Sequence, residues 1–311
     1  MPKLAFVFPG QGSQYVGMGG GFEPQLRDTL MFQARGALGF DIGRLCLEGP
    51  EEDLVLTANT QPAIMAVSII AWHALALEGI EPDYVAGHSL GEYSALVAAG
   101  SLSFADALKV VRRRGELMQE AVAAGRGSMA AILGLDPEEV ARICQEAQDG
   151  GVVEVANLNS PGQVVIAGET GPLFRAMELA KSRGAKRVLE LSVSAPFHSS
   201  LMKLVGEKLT KVLESIPVSD LRVPLVTNVD AAFLTGADEV VPTLIRQVSS
   251  PVLWQRCVER LIQAGVDTFV EVGPGKVLSG LIKRIDRGLR VFQVEDEESL
   301  KVTLAELKRA S

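Results

Sequence analysis

The chain has 311 residues, 47% of them hydrophobic and 22% charged, enough to bury a sizeable core in one large domain or in one domain carrying an insertion. Its formal net charge of −8 argues against a general nucleic-acid binder, since neutralising phosphates needs a basic surface, and leaves room only for a local basic patch. The three cysteines, Cys46, Cys144 and Cys257, stand far apart in no metal-ligand spacing, which points to buried reduced thiols, no bound metal and a cytoplasmic setting.

In chain order, "MPKLAFVFPGQG" is too short an apolar run for a signal sequence. Its five apolar residues Leu4 to Phe8, followed by a glycine-containing turn, predict a buried parallel strand. Residues 62–78 are apolar nearly all round, as in a helix buried on more than one side. Ser68 and His73 interrupt that run, so no membrane span is expected. "DYVAGHS" predicts a strand, a sharp turn and a new helix, and residues 104–123 a further helix, giving an α/β layer with a parallel sheet.

From about Ser128 to Glu190 the rhythm changes. "SMAAILGL" predicts a strand, "DPEEVARICQEAQ" a helix with Asp136 as N-cap and Pro137 in its first turn, and "VVEVANL" and "QVVIAG" two more strands. "TGPLFRAMELAKSRG" predicts a helix closed by Gly184, and "KRVLEL" the last strand. The order β-α-β-β-α-β is a ferredoxin-like unit, expected as a small subdomain over 127–195 inside a large domain of 1–126 and 196–311. "VPLVTNV" and "TFVEVG" then return as buried strands of the large domain.

Gly87-His88-Ser89-Leu90-Gly91 has the pattern of a nucleophile elbow, where flanking glycines allow a strained strand-to-helix turn that presents a serine hydroxyl. The other reading is a small residue at a tight turn. A serine nucleophile needs a base, and the chain has three histidines. His73 lies inside the buried helix and reads as structural, and His88 adjoins the serine and reads as support for the turn. By elimination His198, in "SAPFHSS", is the candidate base, with a buried structural histidine as the alternative. Gly10-x-Gly12-x-x-Tyr15 lacks the third glycine of a dinucleotide fingerprint, and "GPGKV" at 273–277 lacks the Ser or Thr of a P-loop; both read as turns.

"FPGQGSQ", "GHSLGEYSAL", "RRRGELMQ", "ANLNSPGQVVIAG", "APFHS", "QVSSPVLW" and "EVGPGKVLSGL", in this order and reaching to about residue 282, resemble the malonyl-CoA:acyl carrier protein transacylase family. The resemblance implies an α/β-hydrolase-like core with a ferredoxin-like subdomain. It implies ping-pong transfer of malonyl from coenzyme A to Ser89, then to the phosphopantetheine thiol of an acyl carrier protein, in fatty acid synthesis. No cofactor is expected to be bound; malonyl-CoA is substrate and the phosphopantetheine comes with the partner. The family's oxyanion hole falls on the main-chain N–H groups of Gln11 and Leu90. Its base-orienting main-chain carbonyl falls on Gln247, in place of the acidic residue that the sequence does not offer. Asn157 and Asn159 belong to a strand that the family turns toward the cleft, with strand-end hydrogen bonding as the other reading, and His88 joins them as a possible cleft residue.

Arg114 is the candidate for recognising malonate. Val110, Val111 and Met118, one turn away, place it on the apolar face of its helix, while Arg112 and Arg113 fall to the sides and read as a solvated face. An inward guanidinium demands an anion, and its fork fits the free carboxylate that malonyl has and acetyl lacks. Glu92 reads as an acid favoured in a first helical turn. No Asp-Ser-Leu phosphopantetheine attachment motif occurs, so the carrier is expected to be a separate protein. The chain itself is expected to be a monomer. Lys186 and Arg187, and Lys283, Arg284 and Arg287, are candidate docking groups for it, with a solvated basic face as the alternative. Competing functions are a polyketide acyltransferase, a serine esterase or thioesterase, and a catalytically inert carrier-binding protein.

Overall fold

The apolar run at the N-terminus lies in the middle of a sheet, which is why its last four residues are fully buried. The computed structural model describes residues 3–123, 125–191, 193 and 195–309. β1 (Lys3–Phe8) leads through α1 (Pro24–Leu38), α2 (Ile42–Glu48), α3 (Glu51–Leu54) and α4 (Thr57–Leu77) to β2 (Tyr84–Gly87), α5 (Leu90–Ala98) and α6 (Phe104–Glu120). A second block follows: β3 (Gly127–Leu133), α7 (Pro137–Ala147), β4 (Val153–Ser160), β5 (Gln163–Glu169), α8 (Thr170–Ser182) and β6 (Arg187–Glu190). The chain returns through α9 (Lys203–Leu213), β7 (Leu225–Val226), β8 (Phe233–Leu234), α10 (Ala237–Val248), α11 (Trp254–Gln263), β9 (Val266–Val272), α12 (Val277–Ile285), β10 (Arg290–Val294) and α13 (Glu297–Lys308).

The first sheet has six strands in the order β10-β9-β1-β2-β7-β8. Five run parallel, and β8 pairs antiparallel with β7. The sheet is therefore mixed, where the sequence led us to expect a parallel one. The cause is local: Ala231 N–H bonds Thr227 O and Thr227 N–H bonds Ala232 O, so the chain turns back directly after β7 and can only pair antiparallel. "VPLVTNV" contributes only the two residues of β7, and β10 has no counterpart among the predicted strands.

The second sheet is antiparallel throughout, in the order β4-β5-β3-β6. In β3 and β5 the side chains alternate between two cores. Ala130, Ile132, Val164 and Ile166 pack with α7 and α8, while Met129, Ala131, Val165 and Ala167 join the core of the large layer. That second face is the one turned toward the first sheet. β4 is also tied to the segment before α11, since Leu158 N–H bonds Val252 O and Val252 N–H bonds Ala156 O, both at 2.9 Å.

α4 is long and apolar enough to cross a membrane by composition, but 78% of its most apolar window is buried, as expected of a core helix. Two local readings need correction. Asp136 occupies the N-cap of α7 yet its side chain makes no capping bond, and α6 ends at Glu120, three residues before the predicted limit of 123.

Candidate active site

β2 ends at Gly87 and α5 begins at Leu90, so the chain turns within His88 and Ser89. Ser89 adopts φ 51° and ψ −103°, a conformation that side-chain-bearing residues rarely hold. The flanking glycines are sterically required. A Cβ on Gly87 would lie 1.9 Å from the carbonyl carbon of Gly91, and one on Gly91 would lie 2.0 Å from Phe8 O. Asn228 straps the turn: its Oδ1 accepts Ser89 N–H and its Nδ2 donates to Gly87 O, each at 2.7 Å.

His198 sits on the loop that returns from the antiparallel sheet, also at positive φ (59°). Its Nε2 is 2.8 Å from Ser89 Oγ and its Nδ1 is 2.9 Å from Gln247 O. A carbonyl only accepts, so Nδ1 carries the proton and Nε2 offers its lone pair to the serine hydroxyl. Burial, reinforced by the charge of Arg114, pushes the imidazole down to about 3, which keeps it neutral.

Arg114 is 1% exposed at the inner face of α6. Nη1 donates to Gln61 Oε1 at 2.8 Å, while Nη2 donates to Gln247 Oε1 at 3.0 Å and to Ser89 Oγ at 3.1 Å. The Tyr93 ring lies 5.4 Å from its guanidinium carbon. Ser89 Oγ thus accepts from a cation and donates to a neutral imidazole, which polarises its O–H bond toward His198.

A cavity of about 110 Å³ opens at this point. Ser89, His198, Arg114, Gln11, Leu90, His88 and Asn157 all line it, with Met118, Met129 and Phe197 as apolar wall. The main-chain N–H groups of Gln11 and Leu90 make no hydrogen bond among the described residues. Asn159 lies behind, where its Oδ1 accepts His88 Nε2–H at 2.9 Å. Burial lowers the pKa of His88, and its ring contacts Trp254 with centroids 5.7 Å apart, so its position is that of a support under the turn. A wider groove of about 420 Å³ runs along β10 and α13, but neither Ser89 nor His198 borders it.

Three residues of this constellation escaped the sequence reading. Gln61, on α4, is a hydrogen-bond acceptor for Arg114, and a glutamine inside a helix apolar all round is the available signal. Asn228 follows β7 where no motif marks it. Glu92 does lie in the first turn of α5, but it is also fully buried against Gln247 and Asn228. Arg112 is only half-exposed, bonded to Ala58 O and Glu116 and stacked on Phe40, whereas Arg113 lies on the solvated face.

The basic candidates lie outside the cavity. Lys186, Arg187, Lys283, Arg284 and Arg287 are all exposed. Arg284 donates to Gln163 Oε1 at 2.6 Å, and Lys283 donates to Leu289 O. Lys186 packs over Gly134, whose N–H bonds Gly162 O beside Gln163, so the two groups share one side of the molecule.

A family model described as acyl transferase domain matches residues 5–303, across both sheets. The malonyl CoA-acyl carrier protein transacylase of Bacillus subtilis is 48% identical to this chain over 311 residues, covering 99% of it and 98% of the relative. The chain belongs to the malonyl-CoA:acyl carrier protein transacylase family. Family members have the same architecture. The acyl-carrier-protein S-malonyltransferase of Burkholderia pseudomallei superposes with a TM-score of 0.95 at 48% identity, over 97% of this chain and 99% of that one. A malonyl-transacylase solved with its holo type II polyketide acyl carrier protein matches with a TM-score of 0.95 at 44% identity, over 98% and 99% of the two chains.

Proposed function

We propose that the chain moves malonyl from malonyl-CoA to the phosphopantetheine thiol of a separate acyl carrier protein, through a malonyl ester on Ser89, and so supplies fatty acid synthesis. The observation that carries this reading is the position of Ser89 Oγ, 2.8 Å from His198 Nε2 and 3.1 Å from Arg114 Nη2. His198 takes the serine proton as Oγ attacks the thioester carbonyl. The main-chain N–H groups of Gln11 and Leu90 receive the oxyanion, and Gln247 O steadies the imidazolium through Nδ1–H. Collapse breaks the C–S bond, and the coenzyme A thiolate takes the proton from His198. The carrier thiol then runs the same steps in reverse order, releasing Ser89.

Arg114 gives the acyl preference. Its buried guanidinium already holds Gln61 and Gln247 and offers its remaining capacity toward the cavity, where the free carboxylate of malonyl fits and an acetyl methyl leaves the cation unpaired. Asn157, Asn159 and His88 shape the cleft beside the nucleophile. The exposed lysines and arginines on one side, Lys186, Arg187, Lys283, Arg284 and Arg287, are where an acidic carrier would dock on a chain of net charge −8.

The order β6-β3-β5-β4 of the antiparallel sheet, which is 4-1-3-2 when its own four strands are counted in chain order, supports a ferredoxin-like subdomain over 127–195. An elbow after a central strand of the first sheet supports an α/β-hydrolase-like core. We read the chain as a cytoplasmic monomer with no bound cofactor. Intact mass spectrometry tests the function: malonyl-CoA should add one malonyl group, absent in Ser89→Ala, that persists until holo carrier protein is added. Rapid loss of the adduct to water would assign a thioesterase instead.

A further inference from the structure

Behind the nucleophile lies a carboxyl that the steps above do not use. Glu92, in the first turn of α5, is 0% exposed. Its Oε2 accepts Gln247 Nε2–H at 2.8 Å and Asn228 N–H at 3.2 Å, while Oε1 has no partner among the described residues. A half-satisfied buried carboxyl is a cost to the fold, and its two bonds lead straight into the site.

Gln247 joins four residues. Its main-chain oxygen accepts from His198, its side-chain Oε1 accepts from Arg114, and its Nε2 donates to Glu92 and to Ser89 O at 2.9 Å. The two ends of a carboxamide are nearly isosteric, so shape alone does not decide which faces Arg114. Glu92 decides it. Rotating the amide by half a turn would set its NH₂ against the guanidinium and its oxygen against the oxygens of Glu92 and Ser89, repulsions in a buried site.

We propose that Glu92 is a positioning residue for malonyl selection: through Gln247 it holds the amide oxygen on Arg114 and so fixes the guanidinium facing the acyl cavity. This rests on the role of Arg114 proposed above. A hydrogen bond to a charged group is worth roughly tenfold or more in a rate ratio. Glu92→Leu should therefore lower kcat/KM for malonyl loading of Ser89 by about tenfold while acetyl loading changes less than about threefold. Glu92→Gln keeps an acceptor and the shape, and should keep the malonyl preference within about threefold.

The measurement is the malonyl-to-acetyl ratio of Ser89 loading rates in the full chain, in the parent, Glu92→Leu, Glu92→Gln, Arg114→Ala and the Glu92→Leu/Arg114→Ala double variant. If Glu92 acts through Arg114, the double variant has the ratio of Arg114→Ala alone. Should Glu92→Leu not fold by thermal melting, Gln247→Met removes the same amide, keeps the main-chain carbonyl, and should shrink the ratio likewise. An Arg114→Ala variant with unchanged preference would overturn the role of Arg114 itself. If Arg114→Ala behaves as proposed while Glu92→Leu, or Gln247→Met in its place, lowers both loadings equally or neither, the positioning role alone is refuted.

Discussion

The main-chain oxygen of Gln247 lies 2.9 Å from Nδ1 of His198, in the position where a catalytic triad places a carboxylate. The carbonyl fixes the tautomer and the ring plane as a carboxylate would, but brings no charge. Removing a triad acid costs about ten-thousand-fold in kcat. No single Asp→Asn or Glu→Gln change in this chain should approach that loss in the rate of Ser89 loading, whereas His198→Ala should be severe. One carboxylate whose neutralisation alone stops loading would replace this arrangement with an ordinary triad.

Selectivity should follow Arg114. Its partners Gln61 and Gln247 are neutral, so the guanidinium is held in place without a direct salt bridge. Leaving one partner of a buried charge pair unmatched costs about 2–5 kcal/mol. Arg114→Ala should lose malonyl transfer and narrow the gap to acetyl, as read from kcat/KM for both thioesters.

The pH profile should carry the mark of a buried, cation-facing base. Since kcat/KM reports groups of the free enzyme, its acid limb from His198 should lie far below the ordinary imidazole range, near pH 3 if the fold survives there. Burial is the larger cause and Arg114 the next, so Arg114→Ala should move the limb upward. A parent limb between pH 6 and 7 contradicts this.

Stability should respond to pH through the same groups, with opposite signs. The folded pKa of His198 is depressed, so the unfolded chain binds the extra proton below its ordinary value of 6.5, and stability falls as pH drops from 6.5 toward 3. Burial raises Glu92 from 4.5 to about 7, so the folded state holds the extra proton between those values. The stability Glu92 contributes is full below 4.5 and is lost as pH rises through 7. Above pH 6.5 the His198 contribution is complete, so the fall in melting temperature from pH 6.5 to pH 8 should be smaller in Glu92→Gln than in the parent, measured calorimetrically in one buffer system.

Carrier docking predicts a dissociation between the two half-reactions. An exposed charge contact mainly speeds encounter and is screened over about 8 Å at physiological ionic strength. Lys186→Glu or Lys283→Glu should slow transfer to the carrier, most at low salt, and leave loading by malonyl-CoA nearly normal. Equal damage to both half-reactions, or none to the second, places the patch elsewhere. Arg284 is the less informative site, because its bond to Gln163 also ties α12 to the antiparallel sheet.

What the sequence disclosed depended on whether a residue's neighbours in the chain are also its neighbours in space. Ser89 stands out because strand, glycines and helix are contiguous, and Arg114 because three residues of its own helix report which way it points. His198 needed only elimination among three histidines. Glu92, Gln61 and Asn228 are different, for each acts on groups more than 50 residues away, and nothing local separates a first-turn acid in water from one buried under the nucleophile. The same limit applies to the sheets. Long apolar runs such as Leu4 to Phe8 announce themselves, while β7 and β8 have two residues each and are strands only because neighbouring chain pairs with them.

The central claim is that malonyl rests on Ser89 between donor and acceptor. Exchange of isotopically labelled coenzyme A into malonyl-CoA, measured with no carrier protein present, tests it most directly, because a covalent intermediate lets the first half-reaction run forward and back alone. We expect rapid exchange that outpaces hydrolysis and is abolished in Ser89→Ala. Exchange that appears only when carrier protein is added, or that survives in Ser89→Ala, would contradict the account.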